Sequence, residues 1–289
     1  MHVTSRRTFL QLTGAAAGWL SCAGGGLGQT APAAAAPAGK HDLPLKLGIA
    51  SYSFRSFDLA HALAMTTRLG LKHICLKSFH LPMEAKPQET AAAAAQVARA
   101  GLVLGSLGVV TMQKEAEVAH AFDYAKAAGV SMIVAAPSAP MLGLIEKKAK
   151  EYDIRIAIHN HGPGDKHFPT PQSVYEHIQD LDPRIGLCID IGHTVRVGAD
   201  LIDSTRKYAD RLYEIHMKDV TGTTPKAHEI QVGRGVIDIR AFLRALIDVK
   251  YAGVVSFEYE GEPSDPLPGV AESVGYVKGA LEARGRKVS

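Results

Sequence analysis

The stretch Leu187-Cys188-Ile189-Asp190-Ile191-Gly192-His193 carries an apolar run straight into an aspartate, a glycine turn and a histidine. A carboxylate at the end of a buried strand costs free energy unless something charged satisfies it. Three other stretches end the same way. Ile156-Ala157-Ile158-His159-Asn160-His161 lies before it; Tyr213-Glu214-Ile215-His216-Met217-Lys218-Asp219 and Val254-Val255-Ser256-Phe257-Glu258-Tyr259-Glu260 lie after it. Four hydrophobic strands that deliver His159, Asp190, His216 and Glu258 to one end describe a site for one divalent metal ion. A metal-free polar network is the competing reading. The agreement of three independent strand ends, at Asp190, His216 and Glu258, favours the metal.

Alternation along a strand decides what points inward. Ala157, His159 and His161 share a face, as do Cys188 and Asp190, Glu214, His216 and Lys218, Ser256, Glu258 and Glu260, and Cys75 and Lys77. An interior that presents Ala, Cys and Ser and then charged groups leaves room for a small polar ligand at the strand ends. Lys77 would be a costly buried cation in an empty barrel, and is expected to hold a substrate oxygen or an enolate. Lys218 is expected to do likewise. His80, His228 and Arg234 fall in long loops, which in a compact domain are often functional, and are expected to close over the ligand.

The elements that must position these residues alternate from Leu45 onward. Strands are expected at 46–53, 73–77, 102–110 and 131–136, then ending at His159, Asp190, His216 and Glu258. Helices are expected at 58–69, 89–100, 114–128, 141–152, 171–181, 199–208, 237–247 and 270–282. Gly70, Gly101 and Gly129 each follow a helical run, where a left-handed cap is needed. Strands apolar on both faces read as a parallel sheet closed on itself, a single (β/α)8 barrel. No Gly-x-Gly-x-x-Gly follows the first strand, and the polar residues come from many strand ends, which argues against an open doubly wound sheet. The 289 residues suit one such barrel of about 250. A net charge of +3 gives no nucleic-acid footprint. Three cysteines, Cys22, Cys75 and Cys188, argue against a disulfide framework.

Residues 1–38 read as a targeting segment and linker, leaving 39–289 for the barrel. Ser5-Arg6-Arg7-Thr8-Phe9-Leu10 resembles a twin-arginine export signal. The apolar run that follows is too short and too rich in Gly and Ala for a stable transmembrane span. The expectation is an exported, periplasmic protein.

Asp190-Ile191-Gly192-His193, His216-Met217-Lys218-Asp219, Gly233-Arg234-Gly235-Val236-Ile237-Asp238 and Phe257-Glu258-Tyr259-Glu260, taken together and in this order, carry a resemblance. From about Lys46 to Tyr276 the chain resembles the xylose isomerase-like TIM barrels, the sugar isomerase/epimerase superfamily that includes inosose dehydratases and ketose 3-epimerases. The resemblance implies that Asp190, His216 and Glu258 are metal ligands and that His193 hydrogen-bonds substrate. His161, Lys218, His80, Arg234 and Glu260 fill out the expected substrate contacts. The family's fourth ligand is usually a glutamate in a Glu-Asn-His pattern; here His159 stands there. More imidazole favours Mn, Co, Zn, Fe or Ni over Mg. One carboxylate fewer puts a symmetric two-glutamate proton shuttle in doubt. Glu258 is left as base, with His159 or His161 as acid. The expected activity is elimination, hydration or isomerisation of a keto-sugar, cyclitol or 3-keto-glycoside through an enediolate. A true ketose isomerase or epimerase is the alternative enzyme, and a periplasmic sugar-binding or accessory barrel is the alternative without catalysis. A homo-oligomer and a partner subunit both stay open.

Overall fold

A computed structural model describes residues 43–284. The expected export signal, with Arg6, Arg7 and Cys22, lies outside the described residues, as do the extreme ends of the 39–289 segment. The elements run β1 (Lys46–Ala50), α1 (Leu59–Arg68), β2 (His73–Leu76), α2 (Pro87–Arg99), β3 (Val103–Met112), α3 (Glu115–Ala128), β4 (Met132–Pro137) and α4 (Leu142–Tyr152). They continue through β5 (Arg155–His159), α5 (Pro171–Ile178), β6 (Ile185–Asp190), α6 (Ile191–Arg196), α7 (Leu201–Lys207) and β7 (Leu212–Met217). The chain then forms β8 (Asp219–Val220), β9 (Glu229–Ile230), α8 (Ile239–Asp248), β10 (Val254–Phe257) and α9 (Leu267–Arg284). Eight strands close in the order β1-β10-β7-β6-β5-β4-β3-β2, and every pair is parallel. The fold is a single (β/α)8 barrel.

Strand alternation separates two cores. Outward-facing Ile156, Ile158, Leu187, Ile189 and Ile215 pack under the helices in the main apolar cluster. Inward-facing Cys75, Met132, Val134, Ala157 and Cys188 form a small cluster inside the barrel. Small inner side chains leave space above them, and the charged strand ends occupy that level.

Three stretches differ from the expected elements. The first strand, expected at 46–53, ends at Ala50, and Ser51–Phe54 forms a 3-10 turn. The turn after Asp190 is a helix, α6, because the Asp190 side chain caps it by accepting the His193 N–H at 2.8 Å. The long loop after β7 contains an antiparallel hairpin, β8–β9. Asp219 holds its base: Oδ1 accepts from Val220 and Ile237, and Oδ2 from Gly233 and Gly235. A Cβ at Gly235 would collide with the Asp219 carboxylate, so glycine is required for that approach. Gly70, Gly101 and Gly129 all take positive φ, as their cap positions require.

Candidate active site

Register brings the predicted groups together. Asp190 pairs with His216, Ser256 with His216, and His159 with Cys188. Asp190 and His216 therefore stand side by side, with Glu258 two residues beyond Ser256 and His159 across the β5–β6 seam. The residue between the two histidines, Asn160, is a strut. Its Oδ1 accepts the Asp190 N–H at 3.0 Å and its amide donates to Thr194 Oγ1 at 3.2 Å. Thr194 in turn donates to the Asp190 carbonyl at 2.6 Å. The sequence His159-Asn160-His161 thus faces two imidazoles inward and uses the amide between them to fix the aspartate's backbone.

One potential ligand atom from each of His159, Asp190, His216 and Glu258 lies within 4.8 Å of the other three, and all four residues are buried. His159 Nε2 is 3.3 Å from Asp190 Oδ2, and His216 Nδ1 is 3.0 Å from Glu258 Oε2. Lys218 Nζ sits 3.2 Å from Asp190 Oδ2 and 3.0 Å from Glu258 Oε2, and also pairs with Glu260.

Burial opposes every charge here, and the neighbours decide which survive. Burial would raise Asp190, yet His193, Lys218 and His159 hold it far below the usual carboxylate range. Burial would raise Glu258 too; Lys218 and then His216 outweigh it and hold that carboxyl well down. Burial pushes His159 well below its ordinary value despite Asp190. His216 moves up, because the Glu258 carboxylate beside it more than offsets its burial. Lys218 is also desolvated, but Asp190 and Glu258 lift it well above an ordinary lysine.

The four residues fit one divalent ion. His159 Nδ1 and His216 Nε2 are buried without a hydrogen-bond partner, an arrangement native interiors avoid unless something else fills the role. Two imidazoles and two carboxylates make a set of borderline hardness that suits a first-row transition metal. An ion bound here competes with the Lys218 ammonium for Asp190 Oδ2 and Glu258 Oε2. Two deeper groupings, His159–Cys188–His216 and Cys75–Glu214–His216, are equally compact. Burial pushes both thiols well up, so each stays protonated and is a poor ligand.

Other predicted residues fall into two groups. His161 and His193 join the cluster: the His161 and His193 rings lie 4.4 and 5.8 Å from that of His159. Lys77, half-buried at the end of β2, donates to the Val109 carbonyl at 2.8 Å, and its burial lowers its pKa. Glu260 reaches the cluster through Lys218. His80 and Arg234 are placed elsewhere. His80 is buried with one ring nitrogen 3.0 Å from Ser51 Oγ and the other 3.2 Å from the Phe54 carbonyl, so it braces the turn after β1 rather than facing a ligand. The Arg234 guanidinium pairs with Glu272 on α9, which secures the glycine-rich loop to the last helix.

Sequence reasoning passed over Glu229 and Arg196. With His193, Lys218, His228 and Glu260 they line a cavity of about 440 Å³ beside the cluster. Burial raises Glu229 well above the usual carboxyl range, against the pull of Lys218. A two-residue strand has no periodicity to read, so only the folded hairpin reveals this residue.

Comparison with known proteins agrees with the geometry. A family model described as a xylose isomerase-like TIM barrel matches residues 54–280. An inosose dehydratase of Clostridium tetani is 27% identical over 144 residues, covering 44% of this chain and 47% of that one. The chain thus spans about half the length of the curated relatives it matches. Two solved structures share the fold, each at TM-score 0.68. One is the IolI protein with a bound zinc atom (19% identity, covering 83% of this chain and 97% of that one). The other is a 3-keto-D-glucoside 4-epimerase from E. coli (14% identity, 81% and 99%).

Proposed function

Because the chain belongs to the xylose isomerase-like TIM barrel family, whose similar members here include sugar-acting enzymes, we propose that it is a metal-dependent enzyme that removes a proton next to the carbonyl of a keto-sugar, cyclitol or 3-keto-glycoside. Elimination or hydration of an oxygen group is favoured over epimerisation. The observation that carries this reading is the buried quartet His159, Asp190, His216 and Glu258 with its unpartnered imidazole nitrogens.

His159, Asp190, His216 and Glu258 would hold the ion, which when bound supplies Lewis acidity toward the carbonyl and a neighbouring hydroxyl. Glu258 is the base. Its low pKa keeps it ionised, the form a base requires. His161 serves as the acid for the departing oxygen. It is partly exposed, and burial and His193 hold it below an ordinary histidine, which makes its protonated form a stronger acid and requires substrate to supply the charge that keeps the proton on it. Lys77 enters from the opposite side of the barrel, where its ammonium can stabilise the enediolate oxygen. A two-glutamate shuttle is disfavoured because an imidazole, His159, stands where a second carboxylate would be needed. Export through the twin-arginine signal is part of this reading, and fits a substrate without phosphate.

Metal analysis of the purified protein tests the reading. About one transition-metal ion per chain, lost in His159→Ala, is the expected result. No metal in well-folded protein after incubation with Mn, Co or Zn would move the assignment to a sugar-binding or accessory barrel.

A further inference from the structure

Lys218 stands between the quartet and the mouth of the site. An ammonium carries three N–H donors, and three carboxylates surround this one. Nζ lies 3.2 Å from Asp190 Oδ2 and 3.0 Å from Glu258 Oε2, and it pairs with Glu260 as well. The first two partners belong to the quartet and the third does not. The Asp190 and Glu258 side chains are buried, whereas that of Glu260 is 41% exposed. One lysine therefore touches an inner seat closed to solvent and an outer seat that opens on the mouth.

The inner seat is contested. Asp190 Oδ2 also faces His159 Nε2 at 3.3 Å, and Glu258 Oε2 faces His216 Nδ1 at 3.0 Å. The oxygens that hold the ammonium are thus the ones turned toward the two imidazoles. An ion bonded to either oxygen would stand close to Nζ, and two cations that near in a desolvated site repel strongly. The outer seat is fixed from both sides. The Glu260 N–H donates to Glu229 Oε1 at 2.7 Å, and the Glu260 carbonyl accepts from Arg55 Nη2 at 2.8 Å. Glu229 Oε2 lies behind this seat, buried and without a partner. Being closed to solvent, it can be satisfied by a neighbouring side chain and not by a ligand. Lys218 is near enough for its charge to draw on Glu229.

We infer that Lys218 is an exchangeable counter-cation: it yields Asp190 Oδ2 and Glu258 Oε2 to a divalent ion and withdraws to Glu260, with Glu229 behind it, at the mouth of the site. The inference rests on the proposed function insofar as it takes the quartet as the metal seat. It adds an order of events. With all three donors committed to carboxylates, Lys218 has none to give a substrate. Once two of those carboxylates serve the ion, the lysine faces the mouth and can hold a substrate oxygen. Metal loading therefore comes first and creates the substrate contact expected of Lys218. No proton changes hands in the exchange.

Zinc affinity of the full chain, read by chelator competition, tests the exchange. Lys218→Met is expected to bind zinc at least about fivefold tighter than wild type, the lower end of an ordinary coupling between sites. Glu260→Gln is expected to weaken zinc binding at least about threefold, because the displaced ammonium loses its outer seat, and to leave it unchanged in the Lys218→Met background. A general electrostatic effect of the lost carboxylate would weaken both backgrounds alike, and that result overturns the exchange. Lys218→Gln replaces Lys218→Met if the latter does not fold. Zinc bound at equal affinity with and without the lysine overturns the exchange alone and leaves the quartet standing. No zinc bound by either protein overturns both. The full coupling without turnover of any keto-sugar would uphold the exchange and refute the proposed reaction.

Discussion

Glu258 and Glu214 share one barrel interior, at 6% and 1% exposure, yet their acidities move in opposite directions. Glu214 sits one layer deeper, paired in register with Cys188. Its oxygens accept from Ser106 Oγ at 2.9 Å and Ser256 Oγ at 2.7 Å. Burial raises it, and neither the nearby His216 nor the two hydroxyls reverse that. Glu258 is desolvated as well, but an ammonium and an imidazole lie at 3.0 Å. Equal burial therefore does not decide charge; the partner does, and depth in the barrel decides the partner. The upper layer is arranged to keep carboxylates ionised, and the layer beneath favours the protonated carboxyl.

The sharpest way to break this contrast is Glu258→Gln. Turnover on a confirmed substrate is expected to fall by about 10²–10⁴-fold, the range of a lost general base, with the circular-dichroism spectrum unchanged. Undiminished turnover would remove Glu258 as the base. Next is Lys218→Met, which leaves Asp190 and Glu258 without their buried cation. Urea unfolding of metal-free protein should show a loss of about 3 kcal/mol, the cost of breaking a buried pair. Added Zn or Mn should recover much of it, since the ion no longer competes with the ammonium. A variant as stable as wild type without metal would show that Lys218 contributes little to the ionised layer.

His159→Ala should weaken metal binding by at least tenfold in a chelator competition, a lower bound set by what even indirect partners of a ligand contribute. Unaltered affinity would make His159 a substrate contact. Acidification separates the layers further. Asp190 and Glu258 have depressed pKa values, so their contribution is complete above the ordinary carboxylate range and is lost as pH falls through the folded values. His159 is depressed too, so its contribution is lost as pH falls below its ordinary value of 6.5. His216 is raised and runs the other way, contributing below 6.5 and fading as pH rises through its folded value. The melting temperature of metal-free protein should therefore drop below about pH 6.5 through His159, and further below about pH 4 through Asp190 and Glu258; the upper drop should be less steep in His159→Gln, and equal slopes there would remove His159 from the account. The smallest effect is expected from Glu214→Gln. Glu214 is raised, so its contribution is present below 4.5 and lost as pH rises through its folded value. The variant should lie within about 1 kcal/mol of wild type at neutral pH and become relatively more stable as pH increases. A large loss at neutral pH would mean that the lower layer is ionised after all.

The fold and the quartet were legible for a common reason. A strand of period two that is apolar on both faces and then turns polar announces both its burial and its end, and His159, Asp190, His216 and Glu258 each follow such a run. The inward parity of Cys75, Ala157 and Cys188 was readable in the same way and matches the inner cluster. The positions of His80 and Arg234 were not legible, because residue type in a long loop says nothing about direction: one braces a turn and the other ties a loop to α9. Glu229 was missed because its strand is two residues long.

The sequence by itself pointed to the barrel, since eight apolar strands alternate with helices and their polar ends come from many strands rather than from one crevice. It also determined which side chains the strand ends deliver. The tertiary structure alone decided how those charges pair. Lys218 between Asp190 and Glu258, Asn160 bracing Asp190 from the neighbouring strand, and Glu229 returned to the mouth by a hairpin all depend on distances across strands. Coulomb and hydrogen-bond energies follow those distances, and residue order along the chain does not specify them.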